Sequence, residues 1–276
     1  MAWQARLQLD YSMERDRCVA RHLHSGPLRV LQSLYPEGDA ICHNVLVHPP
    51  GGLVGGDTLD IEVTADSSSH GLITTPGATR FYRSDGEPAW QKTRLKVGSD
   101  ARLEWLPLEA LCYSGCKAHN QLQLHLAPGA ELLGWDVTAL GLPNAELPFA
   151  AGYLEQTLEI PGVWLERGRI DASDARLLQS PTGLAGNSGM ATMFFATGNA
   201  IDRNRKQALL DSAREAIAGH CLVTTAGATS PNPRVIVVRV LSDRVEPAMQ
   251  LLREIRKRWR EMAWKLPATD PRIWSM

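Results

Sequence analysis

The strongest constraint on the fold is a two-residue alternation that recurs along most of the chain. WQARLQLDY at 3–11 places Trp, Ala, Leu, Leu and Tyr at every second position and polar residues between them. Successive side chains on a strand point to opposite faces, so this pattern is that of a half-buried strand. LDIEVTA at 59–65 repeats it, and ITTPGATRFY, RLEWLPL, LQLHLAP, ELLGWDVTAL, LEQTLEI and VWLERGRI follow. Gly, Pro, Ser or Asn clusters separate these segments, the spacing of an all-β body. The last third changes period. NRKQALLDSAREAIAGH at 204–220 and EPAMQLLREIRKRWREMAW at 246–264 carry apolar residues at helical spacing, with PRVIVVRVLS at 233–242 reading as a strand between them. The expected fold is therefore mainly β. A large multi-stranded sheet body spans about 1–190, and a smaller α/β portion with two helices spans about 191–276, in one domain.

Composition narrows the function classes. The 276 residues carry a formal net charge of -1, which argues against a nucleic-acid or membrane-surface binder. No apolar run approaches the length needed to span a bilayer, about 18 residues or more, and MAWQARLQLDYSMERDR lacks the apolar core of a signal peptide. The five cysteines are odd in number and scattered, unlike a disulfide framework, so a reducing cytoplasm is the expected compartment. On the second helix Leu252, Ile255, Trp259 and Met262 form an apolar stripe, and Arg253, Arg256, Lys257 and Arg260 form a face expected to be solvated.

Several residues invite a chemical reading. HPPGGLVGGD at 48–57 is glycine-rich, yet it lacks the lysine of a phosphate loop, ends in Asp57 and runs into a strand. It is either a tight turn closed by a surface acid or a place where main chains pass close together. Asp136 is the sole charge in LLGWDVTALGL. It requires a hydrogen-bonding partner, a wet cavity or a cation. Glu166 in VWLERGRI shares a strand face with Trp164 and Ile170, which points inward, although a rim ion pair would also suit it. Cys112, Cys116 and His119 are types that bind soft metals, but the spacing lacks a second ligand pair. There is no G-x-S-x-G and no H-E-x-x-H, so a hydrolase would need an unmarked Cys/His or Ser/His pair.

Taken in order, HPPGGLVGGDTL, ITTPGATRFYRS, LEWLPLEAL, LLGWDVTALG, LERGRI and the terminal PRIW resemble the UreD (UreH) family of urease accessory proteins over nearly the whole chain. The resemblance implies a non-enzymatic scaffold that acts in nickel insertion into urease. It implies binding to the urease apoprotein and to UreF, and through UreF to the GTPase UreG, in a complex that could pair into a dimer. No cofactor would be held permanently; Ni2+ would be in transit through an internal passage. By motif, the passage-lining positions are Asp57 of GGD, Thr79 of PGAT, Asp136 of GWD and Glu166 of LER. Leu142 stands where relatives usually have Arg, and CYSGCKAH departs from the family's usual loop. Trp274 and the basic helix face could add a partner surface.

Overall fold

Ala5, Leu7, Leu9 and Tyr11 leave the strand Gln4–Glu14 on one side, and all four are buried. The same phase repeats in neighbouring strands, which is why these segments collapse into stacked sheets. The computed structural model describes residues 2–267 and 269–275. Seven strands form one sheet in the order Trp164–Asp171, Gly152–Ile160, Cys116–Leu126, Ala89–Val97, Thr58–Ala65, Gln4–Glu14, Arg17–Ser25. The second sheet runs Ala226–Asn232, Val235–Ser242, Gly189–Thr197, Glu131–Leu140, Arg102–Leu106, His70–Thr74, Cys42–Val47, Arg29–Val30. Two short strands, Thr79–Phe81 and Ala110–Cys112, attach beside Glu131–Leu140.

Most neighbours in the first sheet are parallel. Parallel strands need a long return connection, usually a helix. Here the return is a strand of the other sheet: the chain passes from Thr58–Ala65 to His70–Thr74, to Ala89–Val97, to Arg102–Leu106, to Cys116–Leu126, to Glu131–Leu140 and to Gly152–Ile160. It winds around the space between the sheets. One apolar core fills that space, including Leu7, Leu9, Ile61, Leu95, Leu122 and Phe194.

Among the described residues there are three α-helices: α1 (Ala175–Gln179), α2 (Arg203–Ala218) and α3 (Val245–Trp264). Asp202 caps α2, its carboxylate accepting from the Asn204 and Arg205 N–H groups. Helices α2 and α3 cover the outer face of the second sheet, where Leu209, Leu252, Ile255 and Trp259 meet Leu133, Trp135, Met193 and Phe195 in a second core. The mainly β class and the two long C-terminal helices agree with the sequence pattern. The strands at 189–197, 226–232 and 235–242 hydrogen-bond into the second sheet and extend it past Glu131–Leu140.

One expectation is corrected. Arg256 and Arg260 are fully buried. Glu104 accepts from Arg256 Nε at 2.8 Å and lies 3.3 Å from Arg260 Nε, while Arg260 also binds Glu37 at 2.7 Å. Glu37 in turn contacts His43 at 2.8 Å. These arginines fasten α3 to the sheet instead of facing water, because two buried carboxylates compensate them. Arg253 sits over the Trp274 ring. That indole stacks on Trp135 and donates to Thr74 Oγ1 at 2.9 Å, so the tail is tied to its own sheet.

Candidate functional site

Asp136 lies on the face of Glu131–Leu140 opposite Trp135 and Val137, between the two sheets. It meets side chains from the other sheet. Asn120 Nδ2 donates to Oδ2 at 2.7 Å, and Gln156 Nε2 donates to Oδ1. Thr138 Oγ1 is 3.4 Å from Oδ1. All three partners are neutral. Burial pushes the carboxyl up to about 6, while Asn120, Thr138 and Gln156 hold it down. Part of its surface nevertheless remains accessible, as suits a group on the wall of an internal space.

Asn120 and Gln156 are register neighbours, and Gln91 is the next member of the same row on the other side of Asn120. Gln91 Nε2 donates to Asn120 Oδ1 at 3.5 Å. Each end of this amide row opens on a cavity. Gln91 lines one of 240 Å³ together with Thr79, His48 and Trp105. Gln156 lines another of 490 Å³ together with Glu166, Thr192 and Arg239. The polar row Gln91–Asn120–Asp136–Gln156 thus connects two cavities through an otherwise apolar core. Thr79 stands in the wall of the first, with its N–H bonded to Glu109 O at 3.0 Å. Glu166 stands in the wall of the second, on the inner face in register with Leu158, and pairs with Arg239 of the opposite sheet. Its inward direction and its ion pair are therefore both real.

Asp57 is placed differently. It is 1% exposed, and its two carboxylate oxygens accept from Trp3 N–H at 3.1 Å and Val54 N–H at 2.9 Å. It is not a surface acid. It clamps the glycine-rich loop and stands behind His48, whose pKa burial lowers and Asp57 partly restores. The glycines serve close approach: a Cβ on Gly52 would lie 2.3 Å from the Tyr82 ring, and one on Gly55 would lie 2.2 Å from Ser84 Oγ. We expect Asp57→Ala to lose about 2 kcal/mol of stability by stranding two partly buried N–H groups. A shift in the urea midpoint checks this; an unchanged midpoint would deny the clamp.

Cys112 and Cys116 are buried and free, and contact with Cys116 followed by burial raises the Cys112 thiol pKa. His119 sits on the outer face of its strand, stacked on Trp90 at 4.0 Å and 3.2 Å from Glu155. Cys116 and His119 are three residues apart on one strand, so they face opposite ways. Among the described residues no group of three His, Cys, Asp or Glu side chains could hold a metal ion. Cys221 Sγ lies 3.7 Å from His220 Nδ1, but that nitrogen already accepts from the Leu222 N–H.

Sequence reasoning missed Gln91, Asn120, Gln156, Thr192 and Arg239. A signal was there. Inward positions of Cys116–Leu126 read Cys, Ala, Asn, Leu, Leu, Leu, and those of Gly152–Ile160 include Leu154, Gln156, Leu158 and Ile160. An amide breaks the apolar phase in each.

A model of the family described as UreD urease accessory protein matches residues 4–275. The urease accessory protein UreD of Variovorax paradoxus (strain S110) is 63% identical over 275 residues, with 100% of both chains covered. That of Polaromonas naphthalenivorans (strain CJ2) is 63% identical over 276 residues, again with full coverage. That of Methylibium petroleiphilum (strain PM1) is 50% identical over 294 residues, with 99% of each chain covered.

Proposed function

The chain belongs to the UreD family of urease accessory proteins and has a role in urease maturation, and from that premise we infer that it conducts Ni2+ between its sheets without catalysing a reaction. One observation carries this reading: the row Gln91–Asn120–Asp136–Gln156 joins two cavities and holds a carboxylate whose hydrogen-bond partners are all neutral. An ionised carboxylate held by amides retains its charge for a passing cation. Oxygen donors bind nickel less firmly than imidazole or thiolate, which suits an ion that must leave as well as arrive. Thr79 offers a hydroxyl at one cavity and Glu166 a carboxylate at the other. Ni2+ is cargo here, and no cofactor is held permanently.

The partners that fit this role are UreF, the GTPase UreG through UreF, and the urease apoprotein, acting in the cytoplasm. Among the described residues no helix is long and apolar enough to cross a membrane. The test is Asp136→Ala, followed by copurification with UreF and by nickel analysis of the urease produced. The complex should persist while urease nickel falls by about tenfold, the scale on which losses around a metal site act. Wild-type nickel content in the variant's urease would overturn the passage.

A further inference from the structure

Arg239 occupies a position that the passage reading does not use. Register places Asp136, Thr192, Arg239 and Gly227 side by side across four strands of the second sheet, so all four face the first sheet. Neighbouring strands lie about 4.8 Å apart, which sets Arg239 about 10 Å from Asp136. Opposite stands the row Gln156–Gly168, with Glu166 two residues from Gly168. The Arg239 guanidinium crosses between the sheets and pairs with Glu166 at the wall of the 490 Å³ cavity. A Cβ added to Gly168 or Gly227 would meet nothing within 4 Å. Both glycines thus leave open space beside the ion pair, in the wall of the same cavity.

We propose that Arg239 is the gate of this mouth: its guanidinium takes the cation position at Glu166, and a divalent cation gains that carboxylate by displacing it. The inference rests on the passage reading of the same cavity. With Arg239 in place, the charge of Glu166 is cancelled and a fixed positive charge stands in line with Thr192 and Asp136. A stray cation is then repelled. With Arg239 swung out, Glu166, the Gln156 side-chain carbonyl and the Thr192 hydroxyl supply an all-oxygen site of the kind Ni2+ enters and leaves. Side-chain exposures of 49% for Arg239 and 24% for Glu166 make the pair weak enough to yield. Exposed pairs of this kind favour the closed state by roughly fivefold or less.

The experiment measures Ni2+ binding to the isolated full-length protein by equilibrium dialysis, in the wild type, Arg239→Gln, Arg239→Lys and the double variant Arg239→Gln/Glu166→Gln. Removing the competing guanidinium should raise Ni2+ affinity at the mouth by about fivefold, the factor by which the pair holds the site closed. Arg239→Lys should behave as wild type, and the double variant should lose the gain. Circular dichroism and melting curves establish that each variant is folded. Equal Ni2+ binding in wild type and folded Arg239→Gln overturns the gate, as does a gain that survives Glu166→Gln. Urease maturation by Asp136→Ala is scored in parallel. If that variant fails to deliver nickel while Arg239→Gln binds no more than wild type, the gate falls and the passage stands. If Asp136→Ala delivers nickel normally, the passage itself falls.

Discussion

Glu104→Ala is expected to destabilise the protein by about 3–5 kcal/mol, the penalty for leaving buried charge uncompensated. Glu104 is 0% exposed, and its neighbours are Arg256 at 2.8 Å, Arg260 at 3.3 Å and His70 at 3.4 Å. Burial alone would push its carboxyl up. Arg256, the His70 hydrogen bond and Arg260 overcome that and hold it well below the usual carboxylate range. The stability it contributes is therefore present above the ordinary carboxylate pKa and is lost as pH falls through and below it. Alanine would remove the buried carboxylate that the two guanidinium groups share, leaving Arg260 with Glu37 and Arg256 with the Thr269 carbonyl at 3.2 Å and Asp270 at 3.5 Å, so the anchor of α3 would be weakened. The melting midpoint should fall by roughly 10 °C for a chain of this size. A hydrophobic replacement of Glu104 together with Arg256, which leaves Arg260 on Glu37, should recover part of the loss, because the ion pairs are compensated rather than strongly favourable. A drop of less than about 1 kcal/mol for Glu104→Ala would show that the cluster does not fasten the helix.

Asp136→Asn should have the opposite sign. Burial lifts the Asp136 carboxyl from 3.8 to about 6. The folded protein thus binds a proton that the unfolded chain releases between those values. Stability from this group is full below the ordinary pKa and falls as pH rises through about 6. Two pH units correspond to no more than about 3 kcal/mol. Wild type and Asp136→Asn should melt together near pH 4, diverge in favour of the variant up to pH 6, and run parallel above it. Asparagine keeps the shape, and reorientation of the Asn120 amide can present it with an acceptor. Nickel delivery should fail in the variant, and in the wild type it should fade as pH drops below about 6, where the carboxylate is neutral. A pH-independent stability difference would remove Asp136 as an ionised group between the sheets. A residue that weakens the fold when charged yet is needed in that state is one whose charge serves function.

The body of the fold was legible because alternation is a local property: WQARLQLDY and LDIEVTA each show their buried face without reference to the rest of the chain. Asp136 was legible for the same reason, as one charge inside an apolar run. The basic face of α3 was misread because polarity alone does not give direction. Arg256 is buried against a carboxylate 152 positions earlier, and Arg260 against one 223 positions earlier. No window of sequence contains both partners. Asp57 could be read as the end of a turn, but its two main-chain partners, one of them 54 residues away, required the folded loop. Glu166 showed its inward phase, whereas Arg239 sits in VIVVRVLS, where a single arginine looks like a solvent-facing residue of a strand.

The winding of the chain has a kinetic consequence. Each return from one sheet to its neighbouring strand goes through the opposite sheet, so neither layer can be finished before the other. Assembly must close many long loops before their pairings are rewarded, which places such topologies among slow folders, on the millisecond-to-second scale or beyond. Until the Gly152–Ile160 coil arrives, Asn120 and Asp136 lack Gln156 as a neighbour and the half-built groove stands open along its length. The coil that closes the space between the sheets is thus the last of the winding to be synthesised, and a chain stalled before it would present an open apolar trough.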